Sequence, residues 1–187
     1  MKKIAVLMGG TSSERAISLA SGTAVAEALR LEGYEVTPVV LDEDRLESLP
    51  DGVEAVFLAL HGGYGEGGGV QAELDRLRVP YTGPGAAASR IAIDKVATKK
   101  ILESAGIPTP PFEVLRPGAD VTALPLPVVV KPPREGSSVG LSKVTEAGQW
   151  PGALAAARAV DAAGEALVEG YIPGREWTVG IVAGESL

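Results

Sequence analysis

Two glycine-punctuated stretches carry the side chains that could do chemistry. Lys131 ends a β-branched run and opens Lys131-Pro132-Pro133-Arg134-Glu135-Gly136-Ser137-Ser138-Val139-Gly140, after which Leu141 to Val144 resumes an extended pattern. A loop of this make-up between two strands can fold over a triphosphate. Its glycines leave backbone N–H groups uncovered, and Lys131 adds charge from the strand end. The same residues suit, at equal odds, a mobile hairpin tip with a solvated lysine and arginine. No Gly-Lys-Ser/Thr occurs, and Gly9-Gly10-Thr11 lacks the spacing of a dinucleotide turn, so the two commonest nucleotide fingerprints are excluded. Gly136-Ser137-Ser138-Val139-Gly140 also spells a nucleophile elbow. That elbow needs a helix after the serine, whereas a strand follows here, and His61 precedes Ser138, the reverse of the α/β-hydrolase order.

The second stretch is His61-Gly62-Gly63-Tyr64-Gly65-Glu66, at the end of the apolar run Val53 to Leu60. Strand ends in open α/β sheets commonly meet ligands, although a lone histidine is more often a packed residue than a catalyst. Thr11-Ser12-Ser13-Glu14 fits a capping box, with Thr11 at the N-cap and Glu14 three residues on. That explains Glu14 without any function; the alternative sets its carboxylate at the top of the sheet, facing a ligand ammonium.

The elements that must hold these residues follow from periodicity. Residues 3–8 read as a strand buried on both faces, about 14–32 as a helix ending at Gly33, and 35–41 and 53–60 as two more strands. Together they predict a parallel sheet with crossover helices, its third strand running into a glycine-rich loop over 61–69. A helix is expected over 87–105, and the Ile-Pro-Thr-Pro-Pro run at 107–111 marks a break. Beyond it, 128–130 and 141–144 predict a hairpin whose tip, 133–140, is the most mobile ordered segment, followed by a helix over about 151–162. Strands at 166–169 and 176–182 then leave an unmatched edge, which reads as a truncation.

A chain of 187 residues with 45% hydrophobic and 22% charged residues has the composition of an ordinary α/β protein. Its net charge of −7 leaves no general basic face for nucleic acid, so any phosphate must be held by a local cluster. The absence of cysteine removes disulfides and Cys-ligated zinc and makes an intracellular setting the simplest. The apolar run from Ile4 to Met8 is too short for a signal-peptide core and nothing approaches membrane-spanning length, so a cytoplasmic protein is expected.

Six ordered segments, MGGTSSERAISLASG at 8–22, HGGYGEGGGVQ at 61–71, YTGPG at 81–85, IDKVATKK at 93–100, VVVKPPREGSSVGLSKV at 128–144 and ALVEGYIPGREWTVG at 166–180, resemble the D-alanine:D-alanine ligases of the ATP-grasp superfamily essentially from end to end. The resemblance implies an N-terminal α/β substrate-binding domain over 1–90 and a central α+β ATP-grasp domain with a hairpin lid over 91–187, the C-terminal part being absent. It implies ATP-dependent joining of two D-alanines through an acyl-phosphate, for peptidoglycan precursors, by a homodimer using ATP and Mg²⁺. Glu14 would hold the ammonium of the first D-alanine, with Ile17 near its methyl and His61 near its carboxyl. Ser137 would link Glu14 to a tyrosine beyond this chain. Lys95 and Lys131 would contact phosphates, Ser138 would sit in the covering loop, and Glu169, Ile172 and Glu176 would line the adenine and ribose site.

Two departures stand out: Gly67 occupies a place where the family usually has aspartate, and Gly170 replaces a larger residue. The metal carboxylate and asparagine, the oxyanion arginine and the loop tyrosine of the family would all lie beyond residue 187. The chain alone is therefore expected to be inactive. A nucleotide-binding module without catalysis, and ligases taking D-lactate or D-serine as second substrate, are the alternatives.

Overall fold

The computed structural model describes residues 2–180, with the backbone of 181, 182, 185 and 186. Strand β1 (Lys3–Gly9) is the first element, and Ala5 to Met8 within it are almost wholly buried. Helix α1 (Arg15–Leu31) crosses over to β2 (Glu35–Leu41), and β3 (Ala55–Leu58) completes a parallel sheet of order β2-β1-β3. Alternation along β1 separates two layers. Ala5 and Leu7 pack towards Val70 and Leu74, whereas Val6 and Met8 pack towards Ala26 of α1. Gly22 lets α1 approach, since a Cβ there would lie 2.7 Å from that of Met8.

The glycine-rich stretch after β3 is not the open loop expected. It folds into a single helical turn, α2 (Gly63–Glu66), and then α3 (Gly69–Leu77), whose Val70 and Leu74 reach the core. The expected helix over 87–105 is two helices, α4 (Ala86–Ile93) and α5 (Lys95–Ser104). Asp94 divides them: its backbone turns extended, and its carboxylate accepts bonds from the N–H groups of Val96 and Ala97, which is ordinary N-capping.

Strand β4 (Phe112–Leu115), unforeseen because it hides behind prolines, opens a second sheet. The expected hairpin forms from β5 (Val128–Lys131) and β6 (Ser142–Val144). A 3₁₀ turn (Ala147–Gln149), α6 (Trp150–Val160) and β7 (Ala166–Gly170) follow. The order is β4-β7-β5-β6, antiparallel throughout. One face, Val128, Val130, Val144, Ala166 and Val168, is covered by Ala153, Leu154 and Ala157 of α6. Strand alternation puts Lys131 and Glu169 on the other face.

The strand expected over 176–182 is not formed as such. Residues 171–180 are irregular, and only β8 (Ile181–Val182) pairs, with β9 (Glu185–Ser186). Residues 183, 184 and 187 of the expected open edge lie outside the described residues.

Candidate active site

A cleft of about 220 Å³ opens at the C-terminal end of the parallel sheet, lined by residues 10–14, Asp44, 60–65, Glu135, Gly136 and Val139. That is below the ~300–1,000 Å³ usual for drug-sized ligands, so it suits a molecule of few heavy atoms. Its floor is the turn after β1. Gly9 has φ +90°, and a Cβ there would fall 2.7 Å from the Leu41 carbonyl. Arg15 Nη1 donates to the carbonyls of Gly10 (2.8 Å) and Leu41 (2.7 Å), while buried Ser18 accepts from Gly9 N–H and donates to the Ala59 carbonyl. These bonds lock the ends of β1, β2 and β3 together.

The capping box predicted for Thr11 and Glu14 is not formed. Thr11 donates instead to Asp44 at 2.7 Å, and Glu14 is itself the N-cap of α1, without a side-chain cap bond. Its carboxylate is thus free to face the cleft. Oε1 accepts a 2.7 Å bond from Ser137 Oγ, across 123 residues of sequence, and Oε2 lies beside the backbone of Gly62. His61 sits at the end of β3. Ser12 Oγ donates to its carbonyl at 2.7 Å, Ser21 Oγ lies 3.3 Å from Nε2, and Glu66 lies 3.8 Å from Nδ1. Ser12 and Ser21 escaped the sequence reading. Ser21, Ile17 and Glu14 recur at spacings of three and four on α1, and that periodicity was the available signal. Ile17 is exposed and does not line the cleft. Tyr64 lies on the cleft wall. Burial, then the nearby Glu73 carboxylate, pushes its phenol up, so it remains protonated and is no base.

The lid follows Lys131. Pro132 and Pro133 are buried, and Ser137 and Ser138 are consecutive left-handed residues, φ +49° and +58°, held by bonds from Val139 N–H to Gly136 O and from Leu141 N–H to Ser138 O. Non-glycine residues in this region are strained, and such strain persists only where surrounding contacts fix it. Here it aims Ser137 at Glu14. Ser138 runs on through a turn into β6, not into a helix, and the ring of His61 pairs with Ser21 and Glu66, so Ser138 is not joined to His61 as a nucleophile elbow would require.

At the lid root the alternative of a solvated lysine does not hold, and Arg134, though exposed, is bound by three carboxylates. Lys131 is only 18% exposed and pairs with Glu169 Oε2 at 2.7 Å. Arg134 binds Asp94 (3.2 Å), Asp161 (3.1 Å) and Glu165 (2.8 Å), and the bond to Glu165 chiefly holds its guanidinium above its ordinary pKa. Lys95 donates to the carbonyls of Pro133 and Glu135. Its pKa is lowered by burial first and by the charge of Lys131 second. Lys99, passed over in the sequence, is buried against Glu169 Oε1 at 3.1 Å. Only its position four residues after Lys95, on the same helix face, hinted at this.

The structure thus brings Glu14, His61 and Ser137 to one cleft, and Lys95, Lys131 and Glu169 to one cationic cluster, with Glu135 belonging to both. Ile172 and Glu176 are exposed on irregular chain after β7 and take no part in its ion pairs. Among the described residues no three His, Cys, Asp or Glu side chains gather as a metal site. Gly67 closes a tight turn in which a Cβ would lie 2.6 Å from the Gly63 carbonyl, so this backbone has no room for the aspartate usual in the family.

Residues 3–47 match the family model described as D-ala D-ala ligase N-terminus, and residues 101–187 the one described as D-ala D-ala ligase C-terminus. A D-alanine–D-alanine ligase of Citrifermentans bemidjiense is 48% identical over the whole chain, which spans 61% of that relative. One of Polaromonas naphthalenivorans is 49% identical over 94% of the chain and 56% of its own length. The chain therefore spans about three-fifths of the length of such relatives. Among solved structures, D-alanine–D-alanine ligase of Bacillus anthracis superposes with a TM-score of 0.84 at 38% identity, over 93% of this chain and 59% of that one. The same enzyme complexed with ATP gives 0.81 at 35% identity, over 93% and 61%. With both family models matched in order and 93% of the chain superposed on a ligase of 38% identity, the chain belongs to the D-alanine–D-alanine ligase family.

Proposed function

We propose that this chain carries the first D-alanine site and part of the ATP site of an enzyme joining two D-alanines. The observation that supports this most is the bond from Ser137 to Glu14, which lays a phosphate-type lid over a small cleft bearing a carboxylate that no cation pairs with among the described residues. Glu14 would bind the substrate ammonium, His61 would lie near its carboxyl, and Lys95 and Lys131 would hold the ATP phosphates. Ser138, exposed on the lid, would cover them, and Glu169, Ile172 and Glu176 would border the adenosine moiety.

The reaction this arrangement serves has two steps. A carboxylate oxygen of D-alanine bonds to the γ-phosphorus as ADP leaves. The amine of the second D-alanine then bonds to the acyl carbon, expelling phosphate and losing a proton. Phosphoryl transfer needs positioning and charge neutralisation more than a protein nucleophile, and two lysines beside a pinned lid supply both.

Magnesium comes with the resemblance, but the described residues do not form a ligand set for it, and no step is assigned to it here. Division into domains at 1–90 and 91–187, a homodimer, a cytoplasmic setting and a part in peptidoglycan precursor synthesis belong to the same reading. No described helix is long and apolar enough to cross a membrane. D-lactate or D-serine as second substrate gains no support from the relatives above.

Measuring D-alanine-dependent ADP release by the full-length protein tests this. Glu14→Gln, which removes the charge facing the ammonium, should lower kcat/KM for the first D-alanine by about 10- to 150-fold while leaving nucleotide affinity intact. An unchanged kcat/KM would remove Glu14 from the site.

A further inference from the structure

Two ammonium groups, Lys99 and Lys131, hold one buried carboxylate, Glu169, and a third, Lys95, is close enough to feel its charge. This creates a difficulty for Lys131 as a phosphate contact. Its Nζ is 2.7 Å from Glu169 Oε2, and a lysine drawn away to a phosphate would strand a carboxylate in a site only 12% exposed. Lys99 removes the difficulty. It holds the other oxygen, Oε1, at 3.1 Å. Its own Nζ is fixed by Thr109 Oγ1 at 2.5 Å and by the Phe112 ring at 4.9 Å.

The two lysines are unequal. Lys99 is the deeper, 6% against 18% exposed, and has three partners, whereas Lys131 has Glu169 as its one hydrogen-bond partner among the described residues and stands at the root of the lid. We infer that Lys99 is a positioning residue, the permanent counter-ion of Glu169, whose hold on that carboxylate frees Lys131 to turn to the phosphate of a nucleotide. The inference rests on the ATP reading above.

Every element packed around Glu169 agrees with this division of labour. Helix α5 contributes Lys99, and also Lys95, which is committed to the lid carbonyls of Pro133 and Glu135. Strand β5 contributes Lys131, β4 contributes the uncharged Phe112, and the segment before β4 contributes the Thr109 hydroxyl. Lys99 is thus the charge that stays with Glu169 when Lys131 leaves. Without Lys99, Lys131 would be held in place as the carboxylate's counter-ion.

The test is calorimetric titration of the full-length protein with ATP and with adenosine at fixed salt and pH. The ratio of the two affinities isolates the phosphate contribution. In the unmodified protein the ratio should favour ATP. Lys99→Met should reduce it about tenfold or more, because Lys131 is then left as the counter-ion of Glu169. Lys99→Met with Glu169→Gln should restore the ratio, and Lys99→Arg should largely retain it. Lys131→Met should lose the ratio, since the phosphate contact itself is gone.

A normal ratio in Lys99→Met, or a loss not repaired by Glu169→Gln, would overturn the inference. Should Lys99→Met fail to fold, Glu169→Gln alone decides: releasing Lys131 should raise the preference for ATP, and an unchanged or lower preference contradicts the account. An unmodified protein indifferent between ATP and adenosine would refute the ATP reading, and this inference with it.

Discussion

Glu14 and Glu169 anchor the two halves of the site in opposite ways. Glu14, half-buried at the mouth of the parallel sheet, is held by a single neutral hydroxyl, and no lysine or arginine pairs with it among the described residues. Glu169, in the middle of the antiparallel sheet, is buried between two lysines. The first carboxylate is left with charge to offer a ligand, while the second spends its charge inside the protein. A carboxylate that binds a cation must be kept from internal cations, and one that organises anion-binding lysines must be saturated by them. This difference predicts different responses to substitution: changes around Glu169 should show in stability as well as in nucleotide binding, and changes around Glu14 in ligand binding alone.

The largest effect expected is on folding. Breaking a buried ion pair costs about 3–5 kcal/mol, and Lys99→Met should fall at the lower end, about 3 kcal/mol, because Lys131 remains. Urea denaturation would measure it, and a loss below about 1 kcal/mol would mean that Glu169 is less dependent on Lys99 than its burial implies. Next comes Gly67→Asp, which restores the residue usual in the family but drives a Cβ to within 2.6 Å of a backbone carbonyl. A destabilisation of about 1–3 kcal/mol is expected, unlike a rescue.

A smaller effect concerns pH. Lys95, its pKa lowered from the ordinary 10.5, should lose its charge earlier than a free lysine as pH rises. ATP affinity should therefore weaken in alkaline solution below pH 10.5, and Lys95→Arg should move that weakening upward. The corresponding stability term has the opposite sense: burial penalises the ammonium, so this penalty is full below the folded pKa and disappears as pH rises towards 10.5. The smallest effect should come from Arg45→Ala. Its pairs with Glu43 and Glu47 lie on the exposed side of the turn after β2, and the change should be within about 0.5 kcal/mol.

Local pattern made part of this architecture legible. The apolar run at 3–8, the helix ending before Gly33 and the strand at 35–41 emerge almost as periodicity places them, because each is specified by its own residues. Where long-range partners decide, the sequence was a poorer guide. The helical pattern across 87–105 conceals the break at Asp94, since Asp is also a cap and only the fold shows which role it takes. Glu176 to Gly180 has the β-branched and aromatic residues of a strand but forms no ladder, because strand residues need a partner as well as a propensity.

The site divides likewise. The motifs named Glu14, His61, Ser137, Lys95 and Lys131, yet Lys131 looked solvated because burial at a strand end depends on β7 and α5, distant in sequence. Ser12, in the turn before α1, and Ser21 and Lys99, marked only by helical spacing, went unnoticed because their partners are distant in sequence or carry no motif of their own. Resemblance supplied roles that spacing could not; the geometry adds the charge balance that resemblance did not carry.

The contact between Ser137 and Glu14 offers the most direct test, because it joins lid and cleft into one site. A double-mutant cycle of Glu14→Gln and Ser137→Ala, read out as kcat/KM for the first D-alanine in the full-length enzyme, measures whether the two act together. Directly bonded groups in one network couple by about 0.5–3 kcal/mol, so the double variant should be clearly better than the product of the two single losses predicts. Purely additive losses, within about 0.3 kcal/mol, would mean that the lid serine and the cleft carboxylate work independently, and the single-site account would be wrong.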